Sequence, residues 1–175
     1  MGKTSLIHKF TNREFKIDHL PTICIDYKSK IHSVGGKRIK FMIWDTAGQE
    51  KYFSITKNIF QNTNGVILCF SLVDRQSFEK VTTWMSRIRD KLDSKVCIIL
   101  VGTKCDLLKK RAITREESDE LAQQLEFSYV ECSALSGVNV EEVFNELGRQ
   151  MIDANEWDRE SGLNLSSVGH KKCCF

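Results

Sequence analysis

Two unbroken apolar runs, Gly65 to Ser71 and Val96 to Gly102, constrain the fold more than any other feature of this chain. A strand that is apolar at every position, not at alternate ones, has to be covered on both faces, which only a sheet with a layer on each side provides. Between the runs Phe78, Val81, Trp84, Met85, Ile88 and Leu92 recur at helical spacing, and side chains this large mark the core face of a helix, not a cofactor box. The alternation continues downstream. Thr114 and Glu117 form a capping box for a helix carrying Leu121, Ala122 and Leu125, and Phe127 to Cys132 reads as a further strand. Asn139 with Glu142 resembles another cap, ahead of an amphipathic helix built on Val140, Val143, Phe144, Leu147 and Met151.

Upstream the pattern differs. Leu6, Ile7 and Phe10 fit one face of a helix ending near Asn12, and Ile23 to Ile31 reads as a strand. Gly35-Gly36 supplies positive-φ residues for a tight turn into Arg38 to Trp44, so these two strands form an antiparallel hairpin. The expected class is therefore α/β, a doubly wound, mostly parallel sheet with one antiparallel hairpin strand. A chain of 175 residues, 41% hydrophobic, suits one domain over 1–156 with a flexible tail over 157–175, where Ser, Gly, Asn and Lys dissolve the periodicity.

Composition mainly excludes. The 26 basic and 23 acidic residues are spread along the chain without a long basic run, so nucleic acid is not an expected partner. No stretch of eighteen apolar residues and no signal-peptide pattern is present, so any membrane contact is expected to be peripheral. Cys24, Cys69, Cys97, Cys105 and Cys132 stand singly, mostly in apolar segments, and read as buried thiols; Cys173 and Cys174 are adjacent at the end of a polar segment.

The polar motifs fall at predicted strand ends or helix starts, where ligands bind in such sheets. Gly2-Lys3-Thr4-Ser5 matches the closing half of the phosphate-binding pattern G-x-x-x-x-G-K-[ST], in which a helix N-terminus and lysine hold phosphates and a hydroxyl ligates Mg²⁺. Taken alone it competes with chance. Thr22 follows Pro21, which keeps the backbone extended; its hydroxyl suits Mg²⁺ or the capping of a turn. Asp45 closes the hairpin strand and begins Asp45-Thr46-Ala47-Gly48-Gln49-Glu50, with a carboxylate for Mg²⁺, a glycine for close backbone approach and an amide that orients water. Thr103-Lys104-Cys105-Asp106 ends the second apolar run. A carboxylate there accepts two hydrogen bonds from guanine N1–H and its amino group, whereas adenine leaves groups unpaired. By itself, that tetrapeptide equally describes a surface turn.

In their order, GKTS, Pro-Thr, DTAGQE, TKCD and Ser133-Ala134-Leu135 resemble a small GTPase of the Ras superfamily over nearly the whole chain. Ile23-Cys24-Ile25-Asp26-Tyr27, Lys37 to Phe41 and Trp44 before the DTAGQE signature are most similar to the Rab branch, as is the terminal cysteine pair. Three features depart from that branch: Thr103 in place of a usual asparagine, Phe60-Gln61-Asn62-Thr63 in an altered stretch, and Leu135 in place of a common lysine.

The resemblance implies a P-loop GTPase fold lacking its first strand and the first half of the phosphate-binding loop, an incomplete domain whose nucleotide binding depends on those parts. It implies GTP or GDP as ligand and Mg²⁺ as cofactor. Gly2, Lys3, Thr4, Ser5, Thr22 and Gly48 would face the phosphates, Thr4, Thr22 and Asp45 the metal, and Gln49 would be catalytic. Thr103, Lys104, Asp106, Ser133, Ala134 and Leu135 would select guanine, and Ile23, Cys24, Ile25, Asp26 and Tyr27 would meet effectors. Cys173 and Cys174 would carry prenyl groups, two chains giving firm attachment where one gives marginal attachment. A monomer is implied, acting at the cytoplasmic face of intracellular membranes and cycling with cytosol. Its implied partners are effectors, an exchange factor, a GTPase-activating protein, and prenylation escort and dissociation-inhibitor proteins. The competing expectation is a short non-catalytic isoform serving as an effector-binding module.

Overall fold

The computed structural model describes residues 2–12, 26–46, 63–89, 91–92, 95–160 and 170–174. Its elements are α1 (Lys3–Asn12), β1 (Asp26–Val34), β2 (Lys37–Asp45), β3 (Gly65–Ser71), α2 (Arg75–Arg89), β4 (Cys97–Thr103), α3 (Arg115–Leu125), β5 (Ser128–Cys132), α4 (Val140–Glu160) and β6 (His170–Cys174). The six strands form one sheet in the order β1-β2-β6-β3-β4-β5. Only the β1–β2 hairpin is antiparallel, running from Asp26 opposite Asp45 to Val34 opposite Lys37, and Gly35 and Gly36 turn it at φ 54 and 79.

The expected double cover is present. Every residue of β3 is buried, and its side chains divide by parity between two cores. Ile67 and Cys69 join Leu6, Ile7 and Phe10 of α1 with Val143, Phe144 and Leu147 of α4. Val66, Leu68 and Phe70 join Val81, Met85 and Ile88 of α2 with Ala122 of α3. Phe10 and Phe144 stack with ring centroids 3.5 Å apart and 8° between planes, while Phe41 meets Phe144 edge-on at 5.8 Å. Glycine permits one close approach of helix to sheet: a Cβ on Gly148 of α4 would lie 2.8 Å from Val34 Cγ2.

Local signals fix the helix starts unevenly. Thr114 and Glu117 make the reciprocal capping box expected of them, with the Glu117 N–H donating to Thr114 Oγ1 and the Thr114 N–H donating to Glu117 Oε2. Asn139 behaves otherwise. It sits at φ 55, and its Nδ2 donates to the Glu131 carbonyl at 2.8 Å, so its side chain ties α4 to the end of β5.

The largest departure from the sequence reading lies in the tail. Of the tail expected to be flexible from 157, residues 157–160 continue α4 and His170–Cys174 forms a parallel strand between β2 and β3, while 161–169 lie outside the described residues. There β6 supplies main-chain hydrogen-bond partners to the facing edges of β2 and β3. Cys173, with 0% exposure, enters the same core as Ile43 and Ile67. Among the described residues no helix is long and apolar enough to cross a membrane.

A candidate phosphate, metal and guanine site

Parallel strands place their carboxyl ends on one edge, and α1 starts at that edge. The result is a meeting of residues remote in sequence: Thr4 Oγ1, in the first turn of α1, donates to Asp45 Oδ2, at the end of β2, over 2.5 Å. Asp45 is only 2% exposed, and its second oxygen, Oδ1, is buried without a hydrogen-bond partner. Burial pushes the Asp45 carboxyl above its usual range, while the Thr4 hydrogen bond and the charge of Lys3 act in the opposite direction. Lys3 is perturbed by the same enclosure. Desolvation lowers its pKa, and the neighbouring Cys69 and Asp45 oppose that shift. Burial pushes the Cys69 thiol up to about 12.

This arrangement fits a hard divalent cation. A hydroxyl and a carboxylate stand side by side, and the unpartnered Oδ1 is an acceptor that lacks a donor or cation. It fits phosphate as well, because Lys3 and the N–H groups of the first turn of α1 lie at the same place and the helix dipole is positive there. Gly2 stands ahead of that turn at φ 99, a conformation that favours glycine, and its carbonyl accepts from the Leu6 N–H at 3.0 Å. Ser5 is the remaining residue of this turn that sequence assigns to phosphate.

Two loops at the ends of β4 and β5 form the other half of the site. Thr103 is 4% exposed, and its hydroxyl donates to the Phe70 carbonyl at 2.8 Å, so this side chain joins the ends of β3 and β4. The Thr103 Oγ1 also lies 3.7 Å from where a Cβ on Gly2 would stand, which sets the start of α1 against the end of β4. Lys104 follows in left-handed backbone at φ 64, an unfavourable conformation for lysine, and the turn is closed by the Leu107 N–H donating to the Lys104 carbonyl at 3.1 Å. The Cys105 N–H then donates to the Cys132 carbonyl at 3.2 Å, drawing this loop onto the one after β5. Lys104 and Asp106 are exposed at its surface.

The second loop is held from within. Ser133 is fully buried; its N–H donates to the Val138 carbonyl, its carbonyl accepts from the Gly137 N–H, and its Oγ accepts from the Ser136 N–H. Ala134 is half-buried and Leu135 is 55% exposed. Of the residues that sequence assigns to effector contact, Asp26 and Tyr27 begin β1, and Tyr27 stacks at a tilt on Trp44 with centroids 5.1 Å apart. Thr22, Ile23, Cys24, Ile25, Gly48 and Gln49 lie outside the described residues.

One supporting group carries no sequence signal. Arg111 holds both carboxylate oxygens of Glu131, at 2.9 and 2.5 Å, and the Tyr129 hydroxyl donates to the same carboxylate at 3.0 Å. With Asn139 on the Glu131 carbonyl, these contacts brace β5 immediately before the Ser133 loop. Arg111 and Glu131 stand twenty positions apart and match no motif, so only the folded chain brings them together.

Comparison with known proteins agrees with the geometry. The model of the Ras family matches residues 1–153. The chain is 39% identical over 152 residues to Ras-related protein Rab-13 of Mesocricetus auratus, covering 87% of this chain and 75% of that one. It is 38% identical over 162 residues to Ras-related protein Rab-4A of Homo sapiens, covering 91% and 74%. To GTP-binding protein ypt2 of Schizosaccharomyces pombe it is 36% identical over 183 residues, covering 99% and 90%.

Proposed function

The chain belongs to the Ras family as a Rab-like small GTPase, and from that membership we propose that it is a GTP/GDP-switched regulator of vesicle and membrane trafficking that hydrolyses GTP slowly. The observation that carries this reading is the Thr4–Asp45 contact, with the orphaned Asp45 Oδ1 beside Lys3, on the same sheet edge as the Lys104–Asp106 and Ser133–Ala134 loops.

Each group then has a task. The ammonium of Lys3 and the N–H groups of Gly2 to Ser5 bind the β- and γ-phosphates. Thr4 and Asp45 would hold Mg²⁺, which supplies charge neutralisation between the phosphate oxygens when bound. The Asp106 carboxylate accepts from guanine N1–H and its amino group, the Lys104 stem lies along the base, and Ser133, Ala134 and Leu135 border it. Thr103 holds the end of β4, and with it the start of the Lys104–Asp106 loop, to β3 through the Phe70 carbonyl. Gln49 orients the attacking water, while Thr22 and Gly48 read the γ-phosphate, so that the flanking loops order with GTP and relax after hydrolysis. Asp26, Tyr27 and the preceding Ile23, Cys24 and Ile25 present the state to effectors. An exchange factor and a GTPase-activating protein set its lifetime, and prenyl groups on Cys173 and Cys174, delivered with an escort protein, anchor it to intracellular membranes.

The test is equilibrium binding of a fluorescent GTP analogue to the full chain, with and without Mg²⁺, in competition with ATP. Mg²⁺-dependent binding displaced by GTP and GDP but not by ATP is the expected result. Absence of nucleotide binding by the folded chain overturns the switch and leaves the effector-binding module.

A further inference from the structure

Asn139 departs from two local rules at once. It precedes Val140, and its carbonyl accepts from the Val143 N–H at 3.1 Å, so it stands where asparagine ordinarily caps a helix through its side-chain oxygen. Among the described residues no N–H of α4 donates to that oxygen; the side chain turns away and donates from Nδ2 to the Glu131 carbonyl at 2.8 Å. The backbone is also left-handed, at φ 55, a conformation that asparagine tolerates better than most residues but that still disfavours folding. A helix start without its cap and a residue in sparsely populated backbone both lower stability, and such features concentrate where structure serves a site. In return one loop is closed. β5 is an edge strand with β4 on one side only, so no further strand holds the Glu131 carbonyl, and Asn139 takes that place. Within the segment so closed, the Ser133 N–H donates to the Val138 carbonyl at 3.0 Å, the Gly137 N–H donates to the Ser133 carbonyl at 2.9 Å, and the Ser136 N–H donates to Ser133 Oγ at 3.1 Å.

We propose, on the guanine-site reading above, that Asn139 is a positioning residue for base recognition: its clasp on Glu131 holds Ser133 and Ala134 where the guanine ring docks, and so sets affinity for the base and not for the phosphates. The division follows from the placement of the groups. Lys3 and Thr4 belong to the first turn of α1, whereas the clasp joins the end of β5 to the start of α4. Without the Asn139 bond the segment from Ser133 to Val138 keeps its internal bonds but loses its tie to the sheet. A nucleotide then has to order the loop as it binds, and that ordering is subtracted from the affinity. The phosphate partners on α1 are untouched by the same loss.

The experiment compares Asn139→Gly and Asn139→Asp with the parent full chain. Glycine accepts the left-handed backbone and removes the donor. Aspartate keeps the shape, turns an acceptor toward the Glu131 carbonyl, and places a carboxylate at the start of α4, where it favours the helix. In titration calorimetry, GTP affinity should fall by about tenfold in the glycine variant and further in the aspartate variant, with affinity for tripolyphosphate equal in all three chains. The melting temperature of the aspartate variant should hold or rise while its GTP affinity falls, a divergence that a purely structural residue would not produce. Hydrogen exchange of the nucleotide-free chains supplies a readout independent of ligand: the Ser133, Ser136 and Gly137 amides should exchange about tenfold faster in both variants. Unchanged GTP affinity in both variants, equal losses for GTP and tripolyphosphate, losses that track the melting temperature, or unchanged amide exchange overturns the proposal. If the parent chain binds no GTP, faster exchange in the variants supports the clasp and overturns only the nucleotide-switch reading.

Discussion

Thr4 and Asp45, forty-one positions apart, share a 2.5 Å hydrogen bond that joins the start of α1 to the end of β2. Their contact leaves the second Asp45 oxygen buried without a partner, an arrangement that favours cation binding over stability. Asp45→Asn keeps the shape and removes the charge. It should weaken Mg²⁺-dependent binding of GTP by about a hundredfold while the melting temperature of the nucleotide-free chain stays equal or rises, since an enclosed carboxylate is relieved. Titration calorimetry with and without Mg²⁺ checks the first part and thermal denaturation the second; unchanged metal dependence would remove Asp45 from the site.

Base selection should rest on Asp106. Asp106→Asn replaces one acceptor with a donor, which faces the amino group of guanine unfavourably but suits the carbonyl that xanthine carries there. GTP affinity should fall by about a hundredfold and the affinity for xanthosine triphosphate should rise. Competition binding with the two nucleotides reads both directions, and equal losses for both would place Asp106 outside base recognition.

The brace on β5 makes stability depend on pH. Partial burial acts to raise the Glu131 carboxyl, but hydrogen bonds from Arg111 and Tyr129 outweigh it and hold the group below its ordinary value of 4.5. A depressed folded-state pKa adds stability that is complete above the unfolded value and is lost as pH falls through the folded one. Glu131→Gln should therefore cost about 1 kcal/mol at neutral pH and flatten the decline of stability below about pH 4.5. Urea denaturation across pH 3 to 7 measures this, and parallel curves for the two proteins would exclude a role for the pair.

The aromatic stack fixes α1 on α4. Phe144→Ala removes the ring that stacks on Phe10 at 3.5 Å and abuts Phe41, in a core without exposure, and should cost about 3–5 kcal/mol. Leu108→Ala, at a side chain 73% exposed, should stay within about 0.5 kcal/mol. The two free energies from denaturant curves separate core from surface, and similar values would contradict the packing described.

Much of this molecule follows from local sequence. The double-faced burial of β3 and β4, the capping box at Thr114 and the Gly35-Gly36 hairpin are each determined within a few residues, because strand burial, helix capping and tight turns are properties of short segments. The order of the polar motifs likewise points to the family, with Lys3 at the start of α1, Asp45 at the end of β2 and Asp106 in the loop after β4. Tertiary structure alone decided which oxygen of Asp45 is left unpartnered, that the Thr103 hydroxyl serves the Phe70 carbonyl, that Asn139 bonds back to Glu131, and that Arg111 braces β5. Above all it decided the place of Lys172 and Cys173. Nothing in His-Lys-Lys-Cys-Cys marks a central strand, for strand pairing depends on backbone edges elsewhere in the chain, and β2 and β3 present theirs only once the sheet has formed.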